Sequence, residues 1–174
     1  LLLATGQRVE EVLRININDI DKDSLLWEMD KTKAKRPHVV PLPEIAMKVI
    51  NELEPDKQGF LLSSTVTGKL MESMSVSQAC GRYCKQTGFE KFTPRDLRRT
   101  WKTLVGKAGV SKFDRDRYQN HAMNDVSSKH YDRYDYLAEK RQAASIWNDY
   151  LSNILFDDNK TVIPIRANKE QAKG

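Results

Sequence analysis

The chain has 174 residues, of which 39% are hydrophobic and 30% charged, enough apolar material for one core under a well-solvated surface. No run approaches the roughly 18 consecutive apolar residues of a membrane span, and Leu1-Leu2-Leu3 is too short for a signal h-region. Two cysteines cannot build a disulfide framework and a formal charge of +5 permits a polyanionic partner without requiring one, so composition excludes a membrane protein, a disulfide scaffold and a disordered tail.

Leu1 to Ala4 reads as the end of an apolar helix already under way, with no Met before it, so the chain is expected to be the later part of a longer protein. Thr5-Gly6 breaks the pattern, and Gln7 to Arg14 restarts a helix whose buried face includes Val9, Val12 and Leu13. Ile15 to Ile20 alternates Ile with Asn and Asp and predicts an extended exit. Leu25 to Met29 and His38 to Val40 resemble two strands joined by a basic turn at Lys31 to Pro37; with the Ile15 segment they predict a small antiparallel sheet of two or three strands. Pro43 opens a helix with Ile45, Val49 and Leu53 on one face, stopped by Pro55, and Phe60 to Leu62 is a short extended piece.

Helices dominate the rest. Ser75 to Thr87 carries Val76, Cys80 and Tyr83 on one side and ends at Gly88. Cys80 and Cys84, four residues apart on it, read as small core residues suited to a reducing compartment rather than as ligands. Pro94 to Ala108 carries Leu97, Trp101, Leu104 and Ala108 inward and ends at Gly109, and Ser111 caps a helix toward Tyr118. Tyr136 to Leu155 is a long helix with Ile146, Trp147, Leu151 and Leu155 among its apolar positions, followed by a tail with a strand-like Val162-Ile163-Pro164-Ile165 centre. The fold class is mainly α with a small antiparallel β-sheet (α+β), with one domain over 1–156 and a tail over 157–174.

Positive charge is unevenly placed. From Lys91 to Arg117 nine basic residues face three acidic ones, so this window carries +6 and the remainder sums to −1. A second knot, Lys31, Lys33, Lys35 and Arg36, lies in a run without acids. Clustered Lys and Arg neutralise phosphates and release counterions, the sequence-independent part of nucleic-acid affinity. Lys31, Lys35, Arg36, Arg99 and Lys102 are the candidate DNA contacts.

Four segments carry the chemistry: Thr5-Gly6-Gln7-Arg8-Val9-Glu10-Glu11; Lys31-Thr32-Lys33 ahead of Val39-Val40-Pro41; Thr93-Pro94-Arg95-Asp96-Leu97-Arg98-Arg99-Thr100; and Asn120-His121 running to Lys129-His130-Tyr131. In order and spacing they resemble the tyrosine recombinase (phage integrase) catalytic domain, and the wording of the fourth, with Trp147 downstream, is similar to prophage integrases. The resemblance covers Thr5 to about Trp147. It implies the catalytic-core fold of that family, missing its N-terminal DNA-clamping domain, and site-specific DNA cleavage and rejoining through a 3′-phosphotyrosine link without a metal or nucleotide cofactor.

The residue types suit such a reaction. Breaking a phosphodiester needs an in-line nucleophile and donors for the nonbridging oxygens, where charge builds in the transition state. The resemblance assigns Arg8 and Arg98 to that clamp, and a planar guanidinium binds phosphate bidentately and stays charged. It assigns Tyr131 as nucleophile, with Tyr134 and Tyr136 as competitors; a phenol with a pKa near ~10 attacks at neutral pH only if its proton is accepted or its anion stabilised. Lys33 would be the general acid for the departing 5′ oxygen, with Lys31 and Lys35 as alternatives. Glu11 would buttress an arginine, Glu10 being its rival, and His121 would bond the scissile phosphate or orient the site. His130 points elsewhere on this reading, and His38 has no chemical case.

One position departs from the family pattern: the second-arginine box usually opens with histidine, and here that place is held by Arg95. A guanidinium donates to phosphate but cannot act as a base at neutral pH, which leaves the proton acceptor for Tyr131 to His121, water or the DNA. The implied partners are double-stranded DNA and, in the full-length protein, a homotetramer on DNA, with the tail either packing on a neighbour or lying on its own domain. The implied location is the bacterial cytoplasm, on the nucleoid. A non-catalytic DNA-binding remnant and a type IB topoisomerase-like enzyme are the alternatives.

Overall fold

Trp27, Trp101 and Trp147, far apart in the chain, all belong to one buried core. The computed structural model describes residues 1–30, 32–34, 36–64, 67–121 and 134–156. Its elements are α1 (Leu2–Thr5), α2 (Val9–Val12), β1 (Ile20–Asp21), β2 (Leu26–Met29), β3 (His38–Pro41), α3 (Glu44–Asn51), α4 (Ser73–Thr87), α5 (Pro94–Lys107), α6 (Lys112–Tyr118) and α7 (Leu137–Phe156). The fold class is the expected one, mainly helical with a three-stranded antiparallel sheet in the order β1-β2-β3.

The sheet follows from alternation along β2, where Trp27 and Met29 point into the core and Glu28 to solvent. Trp27 pairs with Ile20 on one side and Val40 on the other, and Met29 pairs with His38. The core-facing residues of β3 are therefore Val40 and His38. Behind the sheet, Trp101 of α5 stacks on Tyr118 of α6 at 4.7 Å and meets Trp147 of α7 edge-on at 6.3 Å. These rings tie α5, α6 and α7 together, and α7 also packs on β3 and α1.

Local signals set the helix ends. Gly6 closes α1 at φ +62°, a left-handed turn that glycine adopts without strain. Thr93 and Asp96 close the start of α5, the carboxylate accepting from both the Thr93 N–H (2.9 Å) and its hydroxyl (2.7 Å), with Pro94 in the first turn. Ser111 caps α6 by accepting from the Asp114 N–H.

Several expectations change. The Ile15 segment is not extended throughout: the Asn16 side chain accepts from the Asn18 N–H and curls Ile17–Asp19 into a 3₁₀ turn before β1. In α2 only Val9–Val12 is helical, and Val9 is half-buried. In α3 the buried face is Ile45, Ala46, Met47 and Ile50, and Leu53 lies beyond the helix. In α4 only Cys84 is buried, while Tyr83 is 50% exposed beside Phe89. The inward stripe of α5 is Pro94, Trp101 and Val105, with Leu97, Leu104 and Ala108 half-buried. Leu155 is exposed near the end of α7.

His38 is structural, as the absence of a chemical case implied. Its Nε2–H donates to the Tyr118 carbonyl at 2.9 Å, and burial, aided by the Lys140 charge, pushes its pKa down to about 3. An unfolded chain binds a proton at His38 below about 6.5. The neutral ring thus stabilises the fold fully above that pH, and the contribution is lost as pH falls toward the folded value. Denaturant midpoints are expected to drop between pH 6.5 and 3, and a His38→Gln variant, which keeps an N–H donor, to show a shallower slope. Equal slopes would exclude His38 as the source.

Candidate active site

The site is organised by the C-terminal end of α6. A helix leaves its last carbonyls without intrahelical partners and carries partial negative charge there. Here four consecutive carbonyls are taken up from four directions. Tyr118 O accepts from Gln7 Nε2 and His38 Nε2, both at 2.9 Å. Gln119 O accepts from Arg98 at 2.7 Å, Asn120 O from Arg8 at 3.1 Å, and His121 O from Arg36 at 3.0 Å. Asn120 has φ +50°, a left-handed turn that asparagine tolerates and that fans these oxygens apart.

Each arginine has a second tether. Arg98 lies on α5 between Pro94 and Trp101, hence half-buried, and its Nη1 donates to Gly6 O at 2.8 Å. Burial and the nearby Arg8 charge bring its pKa down to about 10, which leaves it cationic at neutral pH. Arg8 precedes α2; its backbone N–H and its guanidinium both reach the buried Glu11 carboxylate, at 3.3 and 3.1 Å. Arg36 Nε donates to Asn120 Oδ1 at 2.7 Å, and Asn120 Nδ2 donates to Thr32 Oγ1 at 3.2 Å. Thr32 and Arg36 flank the hairpin turn, so Asn120 latches the turn that bears Lys33.

These elements enclose an open cleft of about 550 Å³ lined by Arg8, Lys33, Arg95, Arg98, Arg99, Lys102 and His121, among others. On α5 the spacing of Arg95, Arg98, Arg99 and Lys102 places all four on one helix face toward the cleft. Glu10, rather than the buried Glu11, lines it from the other side. The basic window does not act as one surface: Arg115 donates to Lys102 O, and Arg117 stacks 3.4 Å over Tyr136 and 4.3 Å over Phe113.

A network that the sequence reading passed over sits at the cleft wall. Buried Asp116 accepts from Lys102, from His121 Nδ1 (2.9 Å) and from Lys112 (3.0 Å). Burial alone would raise this carboxyl, but the three donors together hold it well below the usual carboxylate range. Burial lowers the His121 imidazole, the Asp116 bond opposes that, and the Arg98 and Lys102 charges add to the lowering.

The structure thus brings Arg8, Lys33, Arg95, Arg98 and His121 together, with Glu11 behind Arg8. Two expected DNA contacts also carry bonds within the chain: Arg36 braces the hairpin, and Lys102, which lines the cleft, pairs with Asp116. Arg99 is an exposed partner of Asp96. Tyr131, His130, Lys31, Lys35 and the 157–174 tail lie outside the described residues. The unpredicted members are Gln7, Asp116, Gln119 and Asn120; their signal, a polar run at a helix end beside apolar positions, is weak before the fold is known.

The chain belongs to the phage integrase family, which it matches over residues 1–136. It is similar to the tyrosine recombinase XerC of Corynebacterium glutamicum, 31% identical over 117 residues, covering 63% of this chain and 37% of that protein. It is also similar to a probable integrase/recombinase of Acholeplasma phage L2, 22% identical over 132 residues, 75% of this chain and 46% of that protein. The chain therefore spans less than half the length of either relative. Its fold is that of the integrase from mycobacterium phage Brujita, with a TM-score of 0.64 at 18% identity over 84% of this chain and 49% of that one. No described helix is long and apolar enough to cross a membrane.

Proposed function

We propose that this chain is the strand-cleaving domain of a site-specific DNA recombinase that integrates or excises a mobile element such as a prophage. The observation that carries the reading is the carbonyl-held pair Arg8 and Arg98, facing one cleft with Lys33, Arg95 and His121. Arg98, fixed by neutral carbonyl dipoles, keeps its charge for a nonbridging oxygen of a phosphodiester, and Arg8, braced by Glu11 and the Asn120 carbonyl, brings a second guanidinium to the same cleft. Lys33, on a latched hairpin with its own side chain exposed, protonates the departing 5′ oxygen. Tyr131 attacks phosphorus and forms the 3′-phosphotyrosine link, whose energy allows rejoining. Arg95 and Arg99 add positive charge along the DNA path. In the full-length protein, working on the bacterial nucleoid, four copies assemble on paired sites and the tail over 157–174 reaches a neighbour.

Incubation with nicked suicide duplexes cut from the sequences flanking its gene is expected to leave a covalent protein–DNA adduct on a denaturing gel. The adduct disappears in Tyr131→Phe and persists in Tyr134→Phe and Tyr136→Phe. Salt-sensitive DNA binding with no adduct from the full-length protein would reduce the chain to a binding module. An adduct that survives Tyr131→Phe would move the nucleophile to another residue.

A further inference from the structure

The charged lining of the cleft is mostly donors. Arg8, Lys33, Arg95, Arg98, Arg99 and Lys102 carry N–H groups and nothing at neutral pH that accepts a proton, which leaves the exposed Glu10 carboxylate and the His121 ring as the titratable acceptors among the described lining residues. A hydroxyl nucleophile must nevertheless lose its proton as it bonds to phosphorus. His121 is the neutral ring on this wall, and its usefulness depends on which nitrogen carries the hydrogen.

Two hydrogen-bond patterns compete at Nδ1. Either Nδ1–H donates to Asp116 Oδ1, 2.9 Å away, or Nδ1 accepts from Lys102 Nζ at 3.2 Å and the hydrogen sits on Nε2. The second pattern sets the bare nitrogen lone pair against a carboxylate oxygen at 2.9 Å, two acceptors with no proton between them. Asp116 stays ionised because Lys102 and Lys112 also donate to it, so it cannot supply the missing hydrogen. Charge-assisted donation to a carboxylate is also the stronger bond. The first pattern prevails.

We propose that Asp116 is a positioning residue: it holds His121 as the Nδ1–H tautomer, leaves Nε2 bare toward the cleft, and so makes His121 the group that accepts the nucleophile's proton. This rests on the strand-cleavage reading above. The step balances within the site. The tyrosine oxygen forms its bond to phosphorus while its proton passes to His121 Nε2. The phosphorus–5′ oxygen bond breaks, and that oxygen takes a proton from the Lys33 ammonium. Rejoining reverses both transfers. Asp116 then faces an imidazolium, the charge it is placed to stabilise.

The charged groups that face His121 are Asp116 on α6 and Lys102 and Arg98 on α5; Lys112 reaches the other Asp116 oxygen, Arg36 holds the His121 carbonyl, and Lys33 lines the same cleft. As a base, His121 must be neutral, so activity is lost as pH falls through its pKa. Removing the Asp116 charge lowers that pKa, and the acid limb moves to lower pH.

Long-range ¹H–¹⁵N spectra of the full chain report the protonation of each ring nitrogen, with His38→Gln and His130→Gln assigning the signals. The expected result at neutral pH is a bare Nε2 and a protonated Nδ1 at His121. An Asp116→Asn variant mixes the tautomers, lowers the His121 pKa and slows adduct formation on the suicide duplex on the order of 100-fold. Asp116→Glu, which keeps the carboxylate, restores part of the rate, and the acid limb of each protein tracks its His121 pKa. A protonated Nε2 in the wild type overturns the proposal. So does an Asp116→Asn protein that loses the adduct while its His121 tautomer and pKa stay unchanged, since the role would then be structural. A bare Nε2 with no adduct from any protein upholds the Asp116–His121 pairing and overturns the strand-cleavage reading instead.

Discussion

An Arg98→Lys protein is expected to form the covalent DNA adduct about 100- to 1,000-fold more slowly at saturating DNA, the loss typical of removing one fixed donor from a transition-state site. The wild-type guanidinium spans two carbonyls, Gly6 O at 2.8 Å and Gln119 O at 2.7 Å, and still has N–H groups for phosphate. An ammonium is a single point and cannot bridge both carbonyls and a phosphate oxygen at once. Its charge is also less secure. Burial beside Arg8 already draws Arg98 down to about 10. A lysine starts roughly two units lower and would be carried toward neutrality by the same burial. The fold should lose only about 1–2 kcal/mol, because the Gly6 carbonyl keeps its bond from Gln119 Nε2. Arg99→Lys is the control: Arg99 is 71% exposed, paired with Asp96 among the described residues, and its replacement should change the rate by less than about 5-fold. A wild-type rate in Arg98→Lys would remove Arg98 from the clamp.

Gly6→Ala is expected to damage both fold and activity although the residue touches no substrate. The backbone there is left-handed at φ +62°, and a methyl group would be driven into the Trp101 indole ring. Strain at positive φ together with overpacking of a buried ring amounts to about 2–4 kcal/mol. The same carbonyl anchors Arg98 and Gln119, so relief of the clash shifts the guanidinium from its place in the cleft. Thermal melts followed through the tryptophan near-ultraviolet signal, read beside the adduct rate in protein still folded, test this. Gly88→Ala is the matched control, with φ +70° and open space around its added methyl. It should cost about 1 kcal/mol and leave the rate untouched. Equal behaviour of the two variants would mean that Gly6 serves only the turn.

The charged side chains that line the cleft were largely legible before the fold was known because they are charged and sit at marked spacings. Arg8, Lys33, Arg95, Arg98 and His121 come from four segments and meet at one cleft. What holds them there left no mark in the sequence. A backbone carbonyl is present at every position, so nothing in the letters at 118–121 announces that these four oxygens are the anchors. The inward stripe of α5 was misjudged for a related reason. Its period runs Pro94, Arg98, Trp101, Val105, and a hydrophobic count steps over the arginine and settles on Leu97 and Leu104, which are half-buried. Charge alone marks Arg36 and Lys102 for phosphate and says nothing of their partners within the chain, which lie 84 and 14 residues away. Asp116 was counted only as a subtraction from the positive window.

Anchoring three arginines to the backbone at Gln119, Asn120 and His121 ties the site to the length of this stretch as well as to its letters. Side chains along that stretch can change without removing a single oxygen. An insertion or deletion of one residue between α6 and His121 would instead move every guanidinium onto the wrong hook together, unseat the hairpin and turn the imidazole away from Asp116. Divergence among copies of this domain should therefore leave the residue count between Tyr118 and His121 intact, whatever changes at the side chains that carry no bond of their own.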